Sequence, residues 1–314
     1  MATARPAIKQ KSLARGIRKE LNHNWDLYLL ILPVVLYFII FCYYPMYGAQ
    51  IAFRDYRATR GILGSEWVGL EHFRRFFTGA YVGRLFKNTF LISLYSLVFG
   101  FPMPIILAIM LNEIRCVWFK KTVQLVTYAP FFLSTVVMVG LLTNYLSLNG
   151  GLVNQIIEQF GGEPISFMME PSMFKTIYVV SGIWQGTGYG SIVYLAALAG
   201  IDTALYEAAK VDGATRWQCI LHITIPCLMP TAVIMLILNS GSLMNVGFEK
   251  VFLMQNDLNM SASDVISTYV YRSGLQNADF SFASAVGLLN SVISFVMVML
   301  VNYIARRLGE VSLF

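Results

Sequence analysis

Glu207-Ala208-Ala209-Lys210-Val211-Asp212-Gly213-Ala214-Thr215-Arg216-Trp217-Gln218-Cys219-Ile220-Leu221-His222-Ile223-Thr224-Ile225-Pro226 is the most informative stretch of this chain. Asp202, just ahead of it, can cap a helix over roughly 203–211, because its carboxylate accepts orphan backbone N–H groups. Asp212-Gly213 then ends that helix, with Gly supplying a turn conformation closed to most residues. Asp212 can also cap a second helix, over roughly 214–224, and Pro226 opens the run that follows, where a missing N–H costs little. The stretch therefore reads as two short helices joined by a sharp elbow with a projecting, charged corner. Taken alone, this pattern fits a plain connector as well as a knob that another protein's cleft could grip.

Working outward from the elbow, the flanks are long and uncharged. Six stretches lack Asp, Glu, Lys and Arg altogether: Leu27–Phe53, Asn88–Asn112, Thr122–Ile157, Thr176–Ile201, Trp217–Phe248 and Phe280–Ala305. A helix needs about 20 apolar residues to cross a bilayer. Only helices or closed barrels satisfy their backbone groups in lipid, and these runs lack the alternation of barrel strands. The 314 residues are 57% hydrophobic and 13% charged, against about 45–50% and about 25% in soluble domains. The expected fold class is therefore an all-α polytopic membrane protein with six transmembrane helices. The spans are placed at 27–53, 88–112, 122–146, 176–201, 226–248 and 280–305. A basic tail (1–26) precedes them, a hairpin (202–225) joins the fourth to the fifth, and a short tail (306–314) follows.

Arg5, Lys9, Lys11, Arg15, Arg18 and Lys19 precede an apolar run too long for a signal-peptide core, so the N-terminus reads as a cytoplasmic anchor and not a cleaved leader. Arg306-Arg307 follow the last span, and both ends place the termini, and with them the elbow, in the cytoplasm. One segment dissents. The loop 54–87 should lie outside, yet it carries Arg57, Arg60, Arg74 and Arg75 among other basic residues. It is either ordinary solvated charge with internal ion pairs, a collector for an anionic solute, or a dock for an acidic partner. Of the other outer loops, 147–175 holds a short amphipathic segment (Leu152, Val153, Ile156, Ile157, Phe160), and 249–279 can carry a short helix around Ser263–Tyr271.

The spans contain neutral polar groups and no charged centre. Gly182, Gly186 and Gly190 repeat every four residues, which allows close helix approach on one face. Trp184, Gln185, Tyr189 and Tyr194 can point elsewhere. The fifth span carries Asn239, Ser240 and Asn245, and the sixth places Asn290 and Ser294 on one face. Such groups either hydrogen-bond across the bundle or line a pathway. A lining of amides, hydroxyls and aromatic rings suits sugars, whose hydroxyls bond the polar groups and whose C–H faces stack on rings. In the second span, Pro102 and Pro104 should kink the helix.

No nucleophile with a base and no catalytic cluster is visible. Cys42, Cys116, Cys219 and Cys227 form no C-x-x-C pair and no cluster with histidines, so neither a metal site nor a disulfide framework is expected. The sequence lacks a phosphate-binding G-x-x-x-x-G-K-[ST] loop, and no basic–aromatic stripe suggests nucleic acid. Any work against a gradient must be energised by another subunit.

The elbow closely resembles the E-A-A-x-x-D-G-A-x-x-x-x-x-F-x-x-I-x-L-P signature of membrane subunits of binding-protein-dependent ABC importers. Glu207, Ala208, Ala209, Asp212, Gly213, Ala214, Ile223 and Pro226 match it, while Ile220 replaces the usual Phe and Ile225 the usual Leu. Trp67-Val68-Gly69-Leu70-Glu71-His72-Phe73, Asn88-Thr89 and Tyr194-Leu195-Ala196-Ala197-Leu198 resemble sugar permeases of the maltose type. Asn24 to Tyr28 and Tyr44 to Gly48 resemble the branch serving complex oligosaccharides, including alginate and other uronates.

The resemblance implies a type I importer permease fold in the bacterial cytoplasmic (inner) membrane, paired with a homologous second permease as a heterodimer. It implies two cytoplasmic ATPase subunits, which bind ATP and Mg, and an extracytoplasmic solute-binding protein. This chain would bind no cofactor. Glu207 would pair with a basic residue of the ATPase, with Ile220 and Pro226 in the coupling hairpin. The expected solute is an oligosaccharide, and the basic outer loop tilts the choice towards an acidic one. The alternative is an ion-coupled secondary transporter, which should show an ionisable group inside a span or paired interrupted helices.

Overall fold

The computed structural model describes residues 23–242 and 244–309; the basic residues Arg5 to Lys19 lie outside them. Four helices are long and apolar enough to cross a membrane: Trp25–Phe53, Val82–Glu113, Arg216–Ser240 and Phe280–Arg307. Two further segments qualify only as bent pairs, Val117–Phe132 with Thr135–Tyr145 at 101°, and Pro171–Ala199 with Thr203–Val211 at 69°. Counting each pair once gives six crossings, referred to below as the first to sixth spans.

The fourth span, Pro171–Ala199, is rich in Gly, Gln, Thr and Tyr. It tolerates that polarity because it is central, packed against the second, third and fifth spans. The first span is the opposite case. Its helix Trp25–Phe38 buries no residue, and only its far end, Tyr47–Phe53, lies against the sixth span.

Several boundaries differ from those read in the sequence. The second span begins at Val82, six residues earlier than placed, and Pro102 and Pro104 do not interrupt it. A π turn, Ser96–Gly100, stands just ahead of Pro102. The same arrangement recurs at Ile39–Tyr43 before Pro45 and at Ile220–Thr224 before Pro226. A proline has no N–H and its ring crowds the carbonyl four residues back. That carbonyl falls inside the π turn each time, and the widened turn makes room for the ring.

The fifth span runs from Arg216 to Ser240, not from 226 to 248. The second elbow helix is thus the start of the span, and Pro226 sits within it. Phe248–Met254 is a separate short helix.

The third span is the main departure, since one helix over 122–146 was expected. Pro130 lies in a terminal 3-10 turn (Ala129–Phe132), Leu133 is extended, and Ser134 caps the next helix by accepting from the Val137 N–H. The break frees backbone groups in an apolar segment, where each must find a partner. Gln185 of the fourth span supplies one, its Nε2 donating to the Leu133 carbonyl at 3.0 Å. Tyr189 stacks on Phe131 with centroids 3.9 Å apart. Gln185→Leu should therefore lower stability by about 1–2 kcal/mol, measurable as a fall in the unfolding midpoint of the detergent-solubilised protein.

Outside the spans, an antiparallel ladder pairs Arg54 with Trp67 and Asp55 with Glu66. Trp67 stacks on Phe53 at 5.5 Å, and Phe73 lies against the same ring. Apolar clusters bind the loops on this side to the spans, one around Val251, Met254 and Val265, another around Phe76, Leu85 and Ile266. Asp264 is fully buried and bridges Arg84 at 2.9 Å and Arg272 at 2.6 Å. Removing it in Asp264→Ala takes the shared carboxylate from both guanidiniums, leaving Arg272 its bond to Gln255. The expected loss is about 3 kcal/mol, at the low end for buried pairs because both arginines keep some water, again read as a fall in unfolding midpoint.

Candidate functional site

Two features stand out at opposite ends of the fifth span. The first is the elbow. Asp202 caps Thr203–Val211 by accepting from the Ala204 N–H at 2.9 Å. The helix then ends in a Schellman turn: Ala214 N–H donates to the Ala209 carbonyl at 2.9 Å and Gly213 N–H to the Lys210 carbonyl at 3.1 Å. Gly213 has φ +78°, a conformation that suits glycine. Asp212 does not cap the following helix. Thr215 does, in a capping box with Gln218, because the left-handed Gly213 carries the chain past the reach of Asp212.

Glu207, Ala208, Asp212 and Gly213 are exposed, while Ala209 and Ala214 are half-buried. The tip residue Val211 is 88% exposed and Trp217 is 74% exposed. A charged corner with bare apolar side chains has the composition of a docking knob. The elbow is also braced from behind. Tyr206 Oη and Thr224 Oγ1 lie 3.0 Å apart, and Thr224 is fully buried in the π turn before Pro226. Ile220 opens that turn, half-buried. Tyr206 and Thr224 were not singled out from the sequence, because their pairing depends on the hairpin closing.

The second feature is a cavity of about 410 Å³ between the second, fourth and fifth spans. Tyr194, Asn239 and Asn245 line it, together with Gly190, Ser93, Ser96, Tyr178 and Ser242. Its walls combine amides, hydroxyls and phenols with apolar side chains, which suits a neutral polyol surface.

The remaining pathway candidates lie elsewhere. Trp184 faces a separate apolar hollow beside Met103 and Val126, and Gln185 and Tyr189 belong to the break in the third span. Ser240 is buried, donating to the Ile237 carbonyl. Asn290 donates to Asn245 Oδ1 at 2.9 Å and so pins one wall of the cavity. Asn290 Oδ1 and Ser294 Oγ are buried without a hydrogen-bond partner among the described residues.

The glycines divide similarly. Gly190 packs on Pro104, Gly182 has Lys250 Nζ beside it, and Gly186 has open space where a Cβ would stand. The closest helix approach is made by Gly188, outside that series, against the Thr127 carbonyl.

The basic loop is partly satisfied, by one ion pair within it and two to the segment 249–279. Arg57 pairs with Asp55 at 3.2 Å and Arg75 with Asp279 at 2.7 Å. Arg60 and Arg74 are exposed.

Lys250 is a further residue the sequence reading passed over, as one charge in an outer loop. Only 9% exposed, it donates to the Tyr178 carbonyl at 2.9 Å and lies 4.7 Å from the centre of that ring. Burial pulls its ammonium down to about 8. A lone lysine set in the apolar run Phe248–Met254 was the available signal.

Residues 81–310 match the family model for the binding-protein-dependent transport system inner membrane component. Among curated relatives, the polygalacturonan/rhamnogalacturonan transport system permease protein YteP of Bacillus subtilis is 44% identical, over 98% of this chain and 95% of that protein. Protein LplB of the same species is 42% identical, over 92% and 91%. Among solved structures, a chain of a bacterial ABC transporter that imports the acidic polysaccharide alginate superposes with TM-score 0.87 at 42% identity, covering 93% of this chain and 99% of that one. The same fold was solved as an alginate transporter in complex with its alginate pentasaccharide-bound periplasmic protein, at TM-score 0.87. With the family model spanning most of its length and these relatives nearly all of it, this chain belongs to the binding-protein-dependent transport system inner membrane components, the permease subunits of ABC importers.

Proposed function

We propose that this permease forms one half of a pathway importing an acidic oligosaccharide, a uronate oligomer, driven by ATP hydrolysis in partner chains. The observation that carries this reading is mechanical: an exposed, rigidly terminated elbow is strapped through Tyr206 and Thr224 to the fifth span, which walls a polar cavity. Force applied to Glu207 and the Asp212-Gly213 corner reaches Asn239 on the cavity wall through the continuous helix Arg216–Ser240 rather than a floppy loop. The second permease completes the pathway and covers apolar surface such as the unburied helix Trp25–Phe38. Two ATPase subunits hold ATP and Mg and grip the elbow from the cytoplasm, where both termini lie. A solute-binding protein delivers sugar to the outer loops. This chain contributes no catalytic group of its own.

Family membership leaves the ion-coupled alternative without support. The acidic character of the solute is supported by the polygalacturonan and alginate relatives.

The test is ATPase activity of the assembled complex in lipid, with binding protein loaded with a uronate oligomer or with a neutral oligosaccharide. Stimulation by the uronate is expected. Stimulation by the neutral sugar alone would overturn the choice of substrate, and sugar uptake by this chain without an ATPase would overturn the mechanism.

A further inference from the structure

We infer that Lys250 is a charge-selectivity residue of the pathway, its ammonium sitting behind the cavity wall at Tyr178 and favouring solutes that carry carboxylates. The inference rests on the cavity being the solute route, as proposed above.

Burying an ammonium is costly unless a counter-charge compensates it. Lys250 is 9% exposed, yet no ion pair joins it to a carboxylate among the described residues. Its polar neighbours among the described residues are one carbonyl and one ring, both of Tyr178. A methionine of similar length would fill the same space without desolvating a charge, so packing gives no reason for the cation.

Its position does give one. Tyr178, which holds the ammonium, lines the cavity, and so does Gly247, three residues before Lys250. The ammonium lies beside Gly182 of the fourth span, where a Cβ would stand 3.5 Å from Nζ. Tyr178 and Gly247 thus form the cavity wall, and Gly182 and Lys250 stand beside them. The cavity lining named above carries no charged side chain of either sign. An uncompensated positive charge one residue behind such a wall, in a low-dielectric surround, sets the local potential. A neutral sugar gains nothing from it. A uronate gains attraction as it passes this stretch of wall without binding a cation directly, which avoids a tight, slow-release site.

The test uses the assembled permease–ATPase complex in lipid and equilibrium binding of a labelled oligogalacturonate and of its methyl ester. The wild-type complex should favour the acid over the ester by about tenfold. Lys250→Gln, which keeps a donor for the Tyr178 carbonyl, and Lys250→Met should bring the two affinities together, whereas Lys250→Arg should keep the preference. Basal ATPase activity reports assembly of each variant. Equal binding of acid and ester by the wild-type complex, or an undiminished preference in Lys250→Gln, would overturn the inference. Should the wild-type complex bind neither sugar, the cavity itself would fall as the solute route and the role of Lys250 with it. Should uronate stimulate ATPase activity while Lys250→Gln leaves the acid–ester ratio untouched, only the role of Lys250 would fall.

Discussion

Glu207→Lys is expected to abolish sugar uptake while the protein folds and inserts normally. Glu207 is exposed and makes no tertiary ion pair among the described residues, so a surface exchange there should shift stability by no more than about 0.5 kcal/mol. Its partner is expected in the ATPase cleft, where reversing one charge of a desolvated pair costs about 2–5 kcal/mol of association. That is enough to separate ATP hydrolysis from transport. Gly213→Val attacks the same lever from inside. At φ +78°, a β-branched side chain costs at least about 1–2 kcal/mol, and the Schellman bonds from Gly213 and Ala214 would be lost with the turn. Uptake into proteoliposomes, scored beside ATPase activity, reads both variants. Wild-type uptake in both would show that the elbow transmits nothing.

Gly188→Val should remove most folded protein from the membrane. A Cβ at Gly188 would fall on the Thr127 carbonyl, with the Tyr128 amide next to it. Both are backbone atoms and cannot rotate away. The fourth span would have to retreat from the third along the segment where Gln185 and Tyr189 hold the break. Overpacking against a backbone should cost more than about 3 kcal/mol, because in lipid these helices are held by close packing and hydrogen bonds and not by exclusion of water. Gly186→Ala, two residues away, is the control. No heavy atom stands within 4 Å of its Cβ position, and alanine is the better helix former by about 1 kcal/mol. Unfolding midpoints in detergent should drop steeply for the first and hold or rise for the second. The reverse order would mean that the third and fourth spans do not meet at Thr127.

Much of this molecule can be read locally. An uncharged run longer than a bilayer is thick dictates a helix wherever it lies, and all six runs contain one. The Asp202 cap, the Thr203–Val211 helix and the left-handed Gly213 are likewise settled by neighbours within a few residues. The elbow was therefore legible almost to the residue. Two misreadings remain: Asp212 for Thr215 as the second cap, a slip within a single turn, and a span opening at Pro226 where the helix already runs from Arg216.

The cavity was legible only in part. Tyr194, Asn239 and Asn245 face it, while Trp184, Gln185 and Tyr189 turn away to the broken third span. Composition and periodicity describe which side chains a helix offers on each face. Which neighbour each face meets is decided by elements far away in the chain. The Asn245–Asn290 bond, the seat of Gly188 on Thr127 and the burial of Lys250 beneath Tyr178 are of that kind. In a membrane, apolar character marks every side of a helix alike, so local pattern says that a segment is inserted. Only the packed bundle says what each polar group faces, because a hydrogen bond or a buried charge needs a partner that local sequence does not contain.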